Sequence, residues 1–537
     1  MNLGKPEPRE KIYVTIFRKR KEPWKRLRWV TLDDKKFDRL LDKVKSYISQ
    51  LEKFLEQAKQ ERRDRYLEFY LRNAILQATG QDELGIIGRE YENSSSKLAI
   101  AAAAKLKQTR LKLGFSDSVP GSSFAPLTKS ASMGGSTKRH DTIVSAIPYI
   151  PPKEMKVSMR LLTLSRMARA EPFRALAKYD GQTVLLEWKY VSSMTDPHIA
   201  KRVNQVAALL QEFGPSLHSL QCRGFVRDHV ANRYGYIFKL PEELNPPSHP
   251  VRRSNSSIEM VQQMPELRSL RQMLDQSTTP SLNERLSLAV TLLDTLLNLH
   301  TSGWLHKELR SDNIILMRRE DDEGAARNDL STYSIYIVGY VYSRLDSPGE
   351  MTEPLKSEPE ADLYRHPSLL SGSRQPYHKS LDIFSVGCAL LEIGLWSSLA
   401  QILQHHSTIH LESDTPSLPE RPKSEPAPAR SNPLGEAHDR DYRPGTSEAP
   451  LDLMGLKHEL LLSHLGIQSS RLEKRTASRS MIMGSLEAAM GRRYTAIVEE
   501  FLTADNKIRE AKYDEHEFAL NLEMTARDTV QAIVEAM

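Results

Sequence analysis

The chain has 537 residues, a mass of 61.1 kDa and 39% hydrophobic residues, enough to bury at least two cores, so two or three domains are expected. Its only cysteines are Cys222 and Cys388, which excludes a disulfide framework and a cysteine zinc cluster and suits a reducing, cytoplasmic setting. The formal charge of +6 hides an asymmetry: the first 170 residues carry +16 and the remaining 367 carry −10, so the basic front part could meet anionic lipid, nucleic acid or the acidic remainder of its own chain.

The amino terminus, "MNLGKPEPREKIYV", lacks the apolar core of a signal peptide, and nowhere do 18 apolar residues run uninterrupted, so a soluble chain is expected. Residues 31–79 give the strongest helical signal of the front part. Phe37, Leu40, Leu41, Val44, Tyr47, Ile48, Leu51, Phe54, Leu55 and Ala58 recur at steps of three and four, and Thr31 with Asp34 supplies an N-terminal cap signal. "RYLEFYLRNAILQATG" continues the pattern with Tyr66, Leu67, Phe69, Tyr70, Ala74 and Ile75 and stops at Gly80. A helix cannot hide such a stripe alone, which predicts an α-helical bundle over residues 1–113.

Residues 114–154 read as a flexible linker, dense in Ser, Gly and Pro without period. A second tract, 413–450, is Pro-rich and charged and reads as a disordered insertion. Between them apolar strands and helices alternate. "TVLLEWKYV" (183–191) and "RYGYIFKL" (233–240) read as strands with "HIAKRVNQVAALLQEF" as a helix between them. "SLNERLSLAVTLLDTLLNLHTSG" is a long buried helix opened by a Ser281–Glu284 capping box and closed near Gly303. "NIILM" and "YSIYIVGY" are short apolar strands, and "SLDIFSVGCALLEIGLW" is another buried helix.

With those elements in order, the region from about 155 to 537 resembles a protein kinase domain. The resemblance rests on "LLEWK" where a strand presents the nucleotide Lys, "LHKELRSDNIIL" for the catalytic loop, "YIVGY" for D-F-G, and "LDIFSVGCALLEIG" for the central large-lobe helix. It implies an α+β two-lobed fold, with a small lobe over 155–245 and a large lobe over 246–537. It also implies roles: Lys189 for the nucleotide phosphates, Glu308 at the base position, Asn313 as a magnesium ligand, and Arg310 as a cation for a phosphate.

The departures from that pattern fall on the chemistry. No G-x-G-x-x-G precedes Lys189, and only Gly181 is available for close approach to phosphates. The D-F-G position reads Ile337, Val338, Gly339, and an alkyl chain cannot ligate magnesium. Glu308 stands where the family has Asp, and its extra methylene moves the oxygens by about 1 Å, a misplacement that can cost on the order of 100-fold. The A-P-E site reads His366, Pro367, Ser368, and the Glu expected to pair with Lys189 is replaced near the expected turn by Gln205, with Glu212 coming late. These losses imply a pseudokinase with at most weak binding of ATP and magnesium. The alternative is a divergent Ser/Thr kinase using Glu308 as base.

The front part carries a second resemblance. "RLRWVTLDDKKFDRLLDKVKSYISQLEKFL" looks like the later helices of the HeLo prion-inhibition and propagation domain of filamentous fungi, whose family disrupts membranes in programmed cell death and often joins such a bundle to a kinase-like domain. That family begins with apolar helices, whereas this chain enters on "KPEPREKIYVTIFRKRKEPWKRLRWV", charged from the start, so an incomplete HeLo-like bundle is expected. Together the resemblances imply a regulatory or scaffold protein with protein partners and a peripheral contact with anionic membrane. Nucleic acid is not expected, because the front-half cations are interspersed with acids and no reader motif occurs.

Overall fold

A computed structural model describes residues 34–94, 97–113, 154–165, 173–244, 249–252, 258–261, 265–276, 278–318, 329–345, 358–370, 376–413, 453–462, 481–511 and 514–537. The linker tract 114–153 and positions 414–450 of the Pro-rich tract lie outside them. The chain divides into two compact units between Tyr70 and Leu71.

One 44-residue helix, Asp34–Gln77, carries the front-half periodicity. The expected bundle core is not formed by its stripe: Tyr47, Leu51, Phe54 and Leu55 are exposed, Phe54 to 72%. Periodicity fixes which residues share a face, and here that face is not buried. Of the span 1–113 expected as one unit, the helices Gln81–Tyr91 and Leu98–Lys112 lie in the second compact unit. They enclose a small core of Ile75, Ala78, Leu84, Ile100 and Ala104, while Leu106 and Leu113 join the main core.

The second unit contains a five-stranded antiparallel sheet of β1 (Leu162–Thr163), β2 (Arg174–Tyr179), β3 (Gln182–Tyr190), β4 (Cys222–Asp228) and β5 (Arg233–Lys239). Its order is β1-β2-β3-β5-β4. The helix Pro197–Leu210 connects β3 to β4, and the Asp196 carboxylate caps it by accepting from His198 N at 2.8 Å. β3 is buried on both faces. Val184, Leu186 and Trp188 point to one cluster, whereas Leu185 joins the main core and shares its face with Glu187 and Lys189.

There are two further pairs, β6 (His249–Arg252) with β7 (Ile258–Val261) and β9 (Trp304–Leu305) with β12 (Arg344–Leu345), and a three-stranded sheet. That sheet is β8 (Glu266–Ser269), β10 (Ile314–Arg318) and β11 (Ser334–Ile337), with β10 in the centre. The rest is helical. Leu282–Thr301 opens on the Ser281–Glu284 capping box, in which Ser281 N donates to Glu284 at 2.8 Å. Lys379–Leu395 is buried along nearly its whole length, and Met481–Met490, Arg492–Ala511 and Glu515–Glu535 pack around it. Among the described residues no single helix is long and apolar enough to cross a membrane.

Candidate functional site

The helix Leu282–Thr301 ends at Gly303, whose φ of +71° lies in the left-handed region that glycine adopts without Cβ strain. The chain then runs through β9 into the loop His306–Arg310, a short turn Ser311–Asn313, and β10. Asp382, fully buried on the helix Lys379–Leu395, holds this loop from behind. It accepts from His306 N at 2.7 Å, Lys307 N at 2.9 Å and Tyr377 Oη at 2.8 Å. Burial alone would raise the pKa of Asp382, but the His300 hydrogen bond and nearby charges hold it below the usual carboxylate range.

His306 is fully buried, and burial pushes its pKa down to about 4, so the ring is neutral. Its Nε2 lies 3.0 Å from the Val338 carbonyl and therefore carries the proton, leaving Nδ1 to accept from Glu308 N at 3.3 Å. The loop and the 337–339 segment are thereby joined. Val338 N adds a bond to the Asn313 carbonyl at 2.9 Å, and Ile337 N donates to the His218 carbonyl at 2.8 Å.

Glu308, Arg310 and Asn313 line one cleft together with Arg174, Glu187, Gly339 and Tyr342. Glu308 is not an open carboxylate. Its Oε1 accepts from Arg365 Nη2 at 2.9 Å, and its Oε2 lies 3.6 Å from Arg310 Nε. Asn313 is used at both ends: Oδ1 accepts from Arg174 Nη2 at 2.8 Å, and Nδ2 donates to the Glu308 carbonyl at 2.7 Å. Gly339 has a φ of +89°, and a Cβ there would stand 2.5 Å from Asn313, so only glycine fits.

Lys189 is on the cleft side of β3, but it is not among the lining residues. Its Nζ donates to the Val341 carbonyl at 2.9 Å and sits 5.6 Å from the Tyr342 ring. Glu212 does not reach it and pairs instead with Lys105 at 3.4 Å. Among the cleft residues that escaped the sequence reading are Arg174, Glu187 and Arg365. Glu187 was accessible, since strand alternation puts it on the face of Lys189 two residues on. Arg174 and Arg365 act through contacts that no local pattern encodes.

The cleft encloses about 60 Å³, whereas small-molecule sites run to roughly 300–1,000 Å³. Its donor set does not fit a magnesium nucleotide. The position that the kinase resemblance gives to a metal-binding carboxylate holds the buried alkyl chain of Ile337, the Asn313 oxygen already faces a guanidinium, and no group of three His, Cys, Asp or Glu side chains able to hold a metal occurs among the described residues.

Comparison with known proteins gives partial matches. The family model described as prion-inhibition and propagation (HeLo) matches residues 6–85, so its match ends inside the second compact unit. A domain of unknown function, DUF7580, matches residues 237–416, a span containing the His306–Arg310 loop and Asp382. The cyclin-dependent kinase 8 of Drosophila melanogaster is similar at 32% identity over 115 residues, which is 20% of this chain and 22% of that kinase. The match therefore spans about a fifth of that relative.

Proposed function

We propose that this chain is a kinase-like regulatory or scaffold protein that does not transfer phosphate and that acts in HeLo-type cell-death or incompatibility signalling. On this reading residues 155–245 are a small lobe and 246–537 a large lobe. The sheet order β1-β2-β3-β5-β4, the helix between β3 and β4, and the loop anchored on Asp382 support it. The HeLo match and the partial kinase match support the pairing of a front helical part with such a domain. Its partners are other proteins and the anionic face of a membrane, met from the cytoplasm.

The observation that carries the reading is the engagement of Glu308. A general base must reach the proton it abstracts, and this carboxylate is held by Arg365 at 2.9 Å instead. Thermal unfolding with magnesium ATP tests it. A ligand at 100 times its dissociation constant adds about 2.7 kcal/mol, so occupancy is easy to see. The expected result is no shift and no phosphate transfer. A shift of several degrees abolished by Lys189→Ala, or transfer abolished by Glu308→Gln, overturns the reading and restores a divergent kinase with Glu308 as base.

A further inference from the structure

The cleft contains a cation supplied by its own chain. Arg174, the first residue of β2, lays its guanidinium across acceptors from separate segments. Its Nε donates to Glu187 Oε1 at 2.8 Å, with Nη2 2.7 Å from the same oxygen. Its Nη1 donates to the Asp312 carbonyl at 2.9 Å, and its Nη2 to Asn313 Oδ1 at 2.8 Å. The Glu187 carboxylate also accepts from Gly339 N, at 3.0 and 3.2 Å to its two oxygens. The arginine side chain is 16% exposed and that of Glu187 only 3%.

Two features of this arrangement decide its meaning. A carboxylate, a backbone carbonyl and an amide oxygen are the hard oxygen donors that a divalent cation would take, yet here all three face one guanidinium. A planar fork is also the cation whose geometry can satisfy separated acceptors at once, which a lysine ammonium on a single stem does less well. The acceptors sit on β3 and on the Ser311–Asn313 turn, and Gly339 follows β11. Arg174 thus ties the five-stranded sheet to the 311–313 turn, and its partner Glu187 ties the same sheet to the Gly339 backbone.

We propose that Arg174 is a tethered cation that takes the place of a diffusible one and latches the five-stranded sheet onto the 311–313 turn directly and, by fixing Glu187, onto the Gly339 backbone, holding the cleft closed without a ligand. This rests on the reading of the cleft as non-catalytic and adds how its closed state is set. It also specifies the chemistry of the vacated site: with the side chain removed, the oxygen cage should accept a free alkylguanidinium.

The test uses the full chain with Arg174→Ala and with Glu187→Gln, which keeps the volume of the acid and an acceptor for Gly339 but removes the charge facing Arg174. Thermal unfolding of Arg174→Ala should start several degrees lower. Methylguanidinium at roughly 10 mM, far below denaturing concentration, should recover at least half of that loss while leaving the wild type unchanged. Hydrogen exchange at the Gly339 amide should quicken at least about tenfold in both variants, since the side chain at 187 that accepts from it loses its charged pairing with residue 174. A loss untouched by methylguanidinium, or no loss at all, overturns the latch. If Arg174→Ala does not fold, Glu187→Gln decides: an unchanged Gly339 exchange rate overturns the proposal. The two readings fail differently, since phosphate transfer by the wild type sinks the non-catalytic reading, and failed guanidinium rescue sinks the latch.

Discussion

Replacing His300 by Gln should remove a distinct alkaline loss from this protein's stability. His300 is buried near the end of the helix Leu282–Thr301, with Nδ1 2.5 Å from Glu523 Oε1 and Nε2 3.4 Å from Asp382 Oδ2. Burial by itself disfavours the charged ring, but the Glu523 carboxylate and the Asp382 contact outweigh it and push the pKa up to about 9. In the unfolded chain the ring titrates near 6.5. The native state therefore holds the proton more tightly. The resulting stabilisation is fully present below pH 6.5 and disappears as pH rises through about 9. The gap between those values corresponds to about 3 kcal/mol, at 1.36 kcal/mol per pH unit.

Denaturant unfolding followed by tryptophan fluorescence at about pH 6 and about pH 10 reads this directly, because buried Trp304 lies four residues from His300. The wild type should lose about 3 kcal/mol more than His300→Gln between the two conditions, and the variant should be the less stable only at the acidic end. Parallel profiles for the two proteins would refute the reasoning, since they would mean that the buried ring is neutral already at about pH 6.

Two further outcomes follow from other parts of the chain. Arg110→Met should lower stability by about 2–4 kcal/mol, because Arg110 Nη1 lies 3.2 Å from both the Ser302 and Gly303 carbonyls, where charge-assisted bonds and the negative helix end act together; calorimetry showing a change under about 0.5 kcal/mol would contradict it. The full chain should co-sediment with anionic and not neutral liposomes and should release as salt rises, each Lys or Arg near the surface contributing about 1 kcal/mol within a Debye length; equal binding to neutral liposomes would instead assign the contact to the exposed stripe of Tyr47, Leu51 and Phe54.

The sequence made the local features legible. Helix starts such as Ser281 with Glu284, and the strands around Lys189 and Tyr236, are set by side chains within a few residues of each other, and the structure places them where periodicity and capping predict. Asp382 was readable for its place in a motif, and Glu187 could have been read from alternation. Burial was not readable in the same way. The stripe from Val44 to Leu55 has the pattern of a core face and is exposed, whereas Arg72, Lys107 and Arg110 look like a solvated basic face and are almost fully buried. A long cation is read as exposed because burying it without partners is costly. Here the partners are backbone carbonyls and side chains supplied by another part of the fold, and no window of sequence reveals them.

Those buried cations bear on how the His306–Asn313 loop is held in place. Arg72 donates to Asn298 Oδ1 at 2.9 Å and Thr301 Oγ1 at 3.1 Å, and Arg110 reaches the Ser302 and Gly303 carbonyls just beyond. Both grip the end of the helix that leads through Trp304 and Leu305 into the loop. Glu523, on the carboxy-terminal helix, grips the same helix end through His300, while Asp382 holds the loop itself and Arg174 holds Asn313 from the sheet. A phosphotransfer enzyme must open and close around its nucleotide, which favours weak, replaceable contacts at the cleft. Buried charge pairs cost several kcal/mol to break one partner at a time. The His300–Glu523 contact is such a pair, and the arginine contacts are charge-assisted bonds to neutral oxygens, so a displacement of any of these elements must either move the loop or break a hydrogen bond made by a charged side chain.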